Sequence, residues 1–187
     1  MERIIHFNDP EFEKYIRQYL GKTTGGITER DMIQIQYLDL GFIRFSDISP
    51  IVYCKNLKKV DFAEDFSNTY DLQILKDIMN LKSISVFNPK SNELTELYQY
   101  IKFTSLDIIY WGNADICDLN PYNEIQKLSI LNFTGKVFSC KNIQDLTELK
   151  YLRLGSHDVT DEDILESFPK LEIYKNQEVN YERKQIR

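Results

Sequence analysis

At 187 residues, with 42% hydrophobic and 28% charged side chains, the chain has the size and composition of one folded domain around one continuous core, which argues against a disordered chain. The formal charge of -6 and the pI of about 5.0 oppose long-range attraction to nucleic acid or anionic membrane. No run nears the roughly 18 apolar residues of a membrane span, and the opening Met1–Asp9 has no secretory apolar stretch, so a cytoplasmic protein is expected.

Asp9-Pro10-Glu11 predicts a helix start. Asp9 is suited to accept hydrogen bonds from free backbone N–H groups, Pro10 fits the first turn, and Glu11 and Glu13 favour the positive end of the helix dipole. Phe12, Tyr15, Ile16 and Tyr19 or Leu20 recur at helical spacing, and Gly21 is the expected stop. Gly25-Gly26 marks a turn, and Thr28 with Asp31 three residues on predicts a second helix start. Residues 1–34 are expected to form a helical N-terminal cap; the alternative use of the amphipathic face is to bind a partner.

From residue 35 one phrase recurs: an apolar residue, two variable, an apolar, one variable, an apolar. It runs Ile35-Gln-Tyr-Leu38-Asp-Leu40, Leu57-Lys-Lys-Val60-Asp-Phe62, Leu81-Lys-Ser-Ile84-Ser-Val86, Phe103-Thr-Ser-Leu106-Asp-Ile108, Ile125-Gln-Lys-Leu128-Ser-Ile130 and Leu149-Lys-Tyr-Leu152-Arg-Leu154. A degenerate copy opens at Leu171, with Tyr174 in the fourth place and Asn176 in the sixth. The starts are 22 or 24 residues apart throughout, which makes this an internal repeat. The phrase resembles the LxxLxL strand of bacterial leucine-rich repeat proteins, and its spacing is similar to internalin-type 22-residue repeats, here without a secretion signal. The resemblance covers residues 35–176. It implies an α/β solenoid in one continuous domain, six full repeats and one degenerate, with a curved parallel sheet on the concave side and short helices or 3₁₀ turns on the convex side. Residues 177–187 are expected to form a polar tail.

Within a repeat, alternation puts the fourth and sixth residues on one face of an extended strand, and the first sits where the chain bends into it. The returns are apolar again: Ile48 and Ile51, Leu72 and Leu75, Leu94 and Leu97, Ile116 and Leu119, Phe138 and Ile143, Ile164 and Leu165. These are expected to close the other wall of the core. Asn92–Ile101 reads as helical, with apolar residues at 94, 97, 98 and 101, and Thr160–Asp163 resembles a capping box before a segment that Pro169 ends. The 24-residue units are expected to hold a full short helix and the 22-residue units often only a 3₁₀ turn. The ninth place, where the family usually has Asn, holds Ile43, Asp65, Pro89, Trp111, Phe133 and His157, so loop backbone groups need other partners. His157 suits that role better than a catalytic or metal one, since His6 is remote in sequence.

Cys54, Cys117 and Cys140 have no CxxC or metal spacing and read as reduced, core-facing thiols; a reactive thiol or metal site is the alternative. No phosphate loop, HExxH, GxSxG or Cys-His motif occurs, so no enzyme, catalytic residue, metal or cofactor is expected. The concave columns carry the candidate site. The second reads Gln36, Lys58, Lys82, Thr104, Gln126, Lys150; the third Tyr37, Lys59, Ser83, Ser105, Lys127, Tyr151; the fifth Asp39, Asp61, Ser85, Asp107, Ser129, Arg153. Six basic side chains face three acidic ones on a chain that is negative overall, with Tyr37 and Tyr151 near the two ends. That is either a solvated face with local pairing or an electrostatically selective surface. Tyr110 and Trp111 are either core-wall residues or anchors on its rim. The expectation is a monomeric, non-enzymatic protein-binding module. The alternatives are an immunity protein that neutralises a bacterial toxin by direct binding and, from another class, a nucleic-acid binder using the basic stripe.

Overall fold

The computed structural model describes residues 3–41, 43–63, 66–155 and 158–176. Asp65, His157 and the segment 177–187 lie outside them. Helix α1, Pro10–Leu20, starts where the sequence places it: Asp9 accepts from the N–H groups of Glu11 and Phe12, and Gly21 ends it in the left-handed region at φ 64°. Helix α2, Glu29–Met32, has a reciprocal cap between Thr28 and Asp31. The buried face of α1 meets the first loop of the repeats. The Phe12 ring lies 5.1 Å from that of Phe45, and the second Asp9 oxygen accepts from the N–H and Oγ of Ser46. The Tyr15 hydroxyl accepts the Asp39 N–H at 3.0 Å, which satisfies a donor on the first strand of the sheet.

The repeats then supply β1 (Tyr37–Leu40), β2 (Lys59–Phe62), β3 (Ser83–Phe87), β4 (Ser105–Trp111), β5 (Lys127–Phe133), β6 (Phe138–Ser139), β7 (Tyr151–Gly155), β8 (Val159–Thr160) and β9 (Ile173–Asn176). Strands β1, β2, β3, β4, β5, β7 and β9 form one parallel sheet in that order, on the concave side of an α/β solenoid; β6 and β8 pair separately. The register follows the phrase place for place. Leu38, Val60, Ile84, Leu106, Leu128, Leu152 and Tyr174 are lateral neighbours, as are the sixth-place residues from Leu40 to Asn176. Fourth and sixth places are buried through Leu152 and Leu154. A one-residue slip would turn Lys, Asp and Arg into this core, which pins the pairing. Where the chain enters the strands, each second-place carbonyl accepts two N–H groups from the next repeat: Gln36 from Lys58 and Lys59, and so on to Lys150, which accepts from Glu172 and Ile173.

On the return side the short turns obey a period of three. Ile51-x-x-Cys54-x-x-Leu57, Leu75-x-x-Ile78-x-x-Leu81, Ile143-x-x-Leu146-x-x-Leu149 and Leu119-x-x-Tyr122-x-x-Ile125 bury each named residue, and in each chain the N–H groups of the second and third named residues bond the carbonyl three back. Three residues per turn is the 3₁₀ repeat, so this spacing stacks one apolar column on the convex wall. The segments Ser49–Tyr53, Leu72–Asp77, Cys140–Ile143 and Glu162–Ser167 are 3₁₀ helices accordingly, with a short α3 at Phe66–Thr69. Two expectations are corrected here. The full helix α4, Ser91–Tyr100, belongs to a 22-residue unit, and the 24-residue unit from Ile125 holds only a 3₁₀ turn. Repeat length does not choose between the two: the helical spacing of Leu94, Leu97, Tyr98 and Ile101 selects an α-helix within 22 residues. Thr160 makes no capping box: it lies in β8, and Asp161, at φ 58°, precedes the 3₁₀ segment without a side-chain cap. Among the described residues no helix is long and apolar enough to cross a membrane.

Candidate functional site

Period-2 alternation places the third and fifth columns together on the concave face. In the strands, Tyr37, Lys59, Ser83, Ser105, Lys127 and Tyr151 are neighbours in turn, and so are Asp39, Asp61, Ser85, Asp107, Ser129 and Arg153. The second-column residues Lys58, Lys82 and Lys150 precede the strands and stand at the sheet's N-terminal rim. At the first strands the face is internally paired. Lys59 Nζ lies 3.0 Å from Asp107 Oδ2 and 3.4 Å from Asp61 Oδ1, bridging across β3, while Ser85 Oγ donates to Asp107. The Tyr37 hydroxyl donates to Asp61 Oδ2 at 2.6 Å. Partial burial works against the Lys59 charge, but the Asp107 and Asp61 carboxylates outweigh it and hold the ammonium above its usual range. Burial, reinforced by the Asp61 carboxylate, pushes the Tyr37 phenol up, so it remains a donor. Lys59 and Asp107 are partly solvated, so their pairing contributes little to stability and mainly fixes orientation, while the buried Asp61 Oδ1 has the Lys59 ammonium as its neighbour.

The same alternation continues past the hexad. The seventh places Phe87, Ile109 and Leu131 are neighbours on β3, β4 and β5, and on the two longest strands so are the ninth places Trp111 and Phe133. These side chains share the concave face with the polar columns. Ile109 is 37% and Trp111 43% exposed, and the Trp111 and Phe133 rings are 5.2 Å apart. The concave face therefore carries an apolar strip along its C-terminal rim. The hexad describes a strand of four residues from its third place, whereas β4 and β5 run for seven, so the repeated phrase carries no signal for the columns beyond place six. A cavity of about 180 Å³ adjoins the strip between Asp39, Asp61, Ser85, Phe87 and Ile109.

Tyr110 corrects one expectation: it is fully buried, on the core side of β4, and cannot anchor a partner. Its hydroxyl instead accepts the Cys117 N–H at 3.1 Å. Similar service comes from the eighth place of the neighbouring repeats. Asn88 Oδ1 accepts the Trp111 N–H at 2.6 Å, and buried Asn132 accepts from Thr134 N–H and donates to the Lys136 carbonyl. The loop backbone thus finds side-chain partners one place earlier than the ninth, at Asn88, Tyr110 and Asn132. Lys136 Nζ adds bonds to the carbonyls of Asn113 and Ala114 and to Asp115 Oδ1, tying the loop after Trp111 to the next repeat.

A larger hollow, about 640 Å³, opens beside that loop between Arg44, Lys90, Ser91, Asn113, Asp115 and Cys117. Burial pushes the Cys117 thiol up, and its Sγ donates to the Pro89 carbonyl, so it is no poised nucleophile. Among the described residues no group of His, Cys, Asp and Glu side chains could hold a metal ion.

No family model matches the chain, and neither does any curated protein. Among solved structures it is similar to internalin C2 of Listeria monocytogenes strain 4b F2365, 18% identical with a TM-score of 0.52, the match covering 93% of this chain and 88% of that one. Internalin F of the same strain aligns over 94% of this chain and 78% of its own, at 15% identity and a TM-score of 0.36, too loose to bear on the argument. The likeness to internalin C2 is one of fold, and the fold is an internalin-like leucine-rich repeat solenoid.

Proposed function

We propose that this is a non-enzymatic module that binds another protein on the concave face of its sheet. One observation carries the reading: the apolar strip of Phe87, Ile109, Leu131, Trp111 and Phe133, with Ile109 and Trp111 exposed and the others half-buried, lies in register beside columns of charged and hydroxyl side chains. An apolar patch rich in aromatic residues beside polar groups is the make-up of a protein interface. Nucleic acid fits less well. Lys59 is already paired with two carboxylates, and Asp39, Asp61 and Asp107 lie among the bases that a phosphate backbone would need.

The test is affinity capture from native lysate with three forms side by side: wild type, Ile109→Asp with Trp111→Ala, and Lys58→Ala with Lys150→Ala. A protein held by wild type and lost by the first variant is the expected result. Capture unchanged by both variants would remove the concave face from consideration.

A further inference from the structure

We propose that the segment received by the concave face is an amphipathic helix with an acidic flank and an apolar flank, lying across the strands; this rests on the protein-binding reading above. The first observation is a row of exposed cations without counter-ions. Lys58, Lys82, Lys127 and Lys150 stand along the N-terminal rim, and among the described residues none of their ammonium groups has an ion-pair or hydrogen-bond partner. This is a chain with more carboxylates than bases, and several lysines outside the row hold one: Lys22 on Asp31, Lys136 on Asp115, Lys141 on Asp161, Lys170 on Glu148. A row of unneutralised lysines on a protein of net charge -6 is a local reversal of sign, which selects an acidic partner at close range while the whole molecule repels anionic polymers.

The second observation is distance. The row runs from just before β2 to just before β7, four strand spacings or about 19 Å. The apolar strip lies on the opposite rim, some five residues further along each strand, or about 16 Å away. An extended peptide laid across the strands sends alternate side chains away from the surface and presents a single line to it. A helix is about 10–12 Å across with its side chains, so one lying midway leaves roughly 2–3 Å at each rim, a gap that the long lysine and tryptophan side chains span, and about 13 residues of helix match the length of the row. The floor between the rims holds Lys59 with the Asp61 and Asp107 carboxylates, beside Asp39, Ser85 and Ser129; its residual negative charge turns an acidic flank toward the lysine rim and away from the floor.

The probe is a phage-displayed library of random peptides about 20 residues long, long enough for such a helix, selected against the full chain. Enriched sequences are then titrated as synthetic peptides against three forms: wild type, Lys82→Glu with Lys127→Glu and Lys150→Glu, and Trp111→Ala. Circular dichroism checks that each variant folds. The expected peptides repeat acidic and apolar residues at helical spacing, become helical on binding, and weaken roughly tenfold or more with either variant. Peptides that lose binding with Trp111→Ala but ignore the lysine reversal would overturn the acidic flank and leave the protein-binding reading standing. Peptides bound in extended form would overturn the helix. An empty selection, or one indifferent to both variants, would remove this proposal together with the concave-face reading, and tighter binding of labelled single-stranded RNA than of any peptide would replace both.

Discussion

Asp9 joins two parts of the molecule through one carboxylate. One oxygen caps α1, accepting from Glu11 and Phe12; the other accepts from the Ser46 N–H and hydroxyl in the first loop of the repeats. Burial alone would raise its pKa, but the bonds from Phe12, Ser46 and Glu11 favour the charged form and bring it from 3.8 down to about 2. A folded-state pKa below the unfolded one gives stability that is present above the unfolded value and lost as pH falls through the folded value. Asp9→Asn keeps one oxygen for the cap but sets an amide donor where Ser46 needs an acceptor, and is therefore expected to destabilise the protein at pH 7 by about 1–3 kcal/mol, the cost of losing hydrogen bonds to a charged group. Urea melts of the two forms should draw together as the pH falls from about 4 toward 2, and a gap that stays constant would show that the charge is not what matters. The cap itself was legible, since Asp-Pro-Glu is a local signal. The second use of Asp9 was not, because nothing local links residue 9 to residue 46. The same holds for Asn132: a buried amide serving its own loop lay one place from where the family pattern directs attention, and only the strand length reveals which place faces inward.

At the level of elements, the strands were readable and the returns only partly so. A parallel strand in a solenoid has its inward places fixed by a period of two, and the hexad displays that period without ambiguity. Repeat length gave the wrong guide to the returns, because it does not decide between helix and 3₁₀ turn. The period within the return does: three in Ile51-x-x-Cys54-x-x-Leu57, and helical spacing in Leu94, Leu97, Tyr98 and Ile101. That period also explains the cysteines. Cys54 fills a place in the convex apolar column, and Cys140 opens the 3₁₀ turn that follows β6; burial pushes both thiols up to about 12, and that of Cys117 upward as well. At neutral pH all three are protonated and covered, so they are expected to be inert. A thiol reagent added to the native protein at neutral pH should label none of them within the time that denatured protein is labelled fully. Rapid native labelling at any one would mark that repeat as locally open.

Across the whole molecule, the sheet order follows the chain order, so each repeat is supported only by its neighbours and by whatever covers the two ends. The ends differ. At β1 a tyrosine hydroxyl meets an edge N–H, and the rings of Phe12, Tyr15 and Phe45 pack together beside it. At β9 the sixth place is Asn176, Ile173 is 44% exposed, and the 3₁₀ segment Glu162–Ser167 contributes no buried residue. Stability in a one-dimensional stack is a sum of local and nearest-neighbour contributions, so it is expected to be uneven along the chain. Hydrogen exchange followed by mass spectrometry should find the amides of β3, β4 and β5 most protected and those of β9 least, with protection falling from β7 to β9. Leu106→Ala, in the fourth place of β4, removes a fully buried side chain and should cost about 2–5 kcal/mol. It is expected to raise exchange in β3, β4 and β5 together, because each leans on the others. Tyr174→Ala should raise exchange in β9 and β7 and leave β3 unchanged. If both substitutions raised exchange uniformly from β1 to β9, the molecule would be one cooperative unit, and the concave face would respond to a partner as a whole. If they act locally, the apolar strip on β3, β4 and β5 rests on the most stable part of the stack, where a rigid surface loses least on binding.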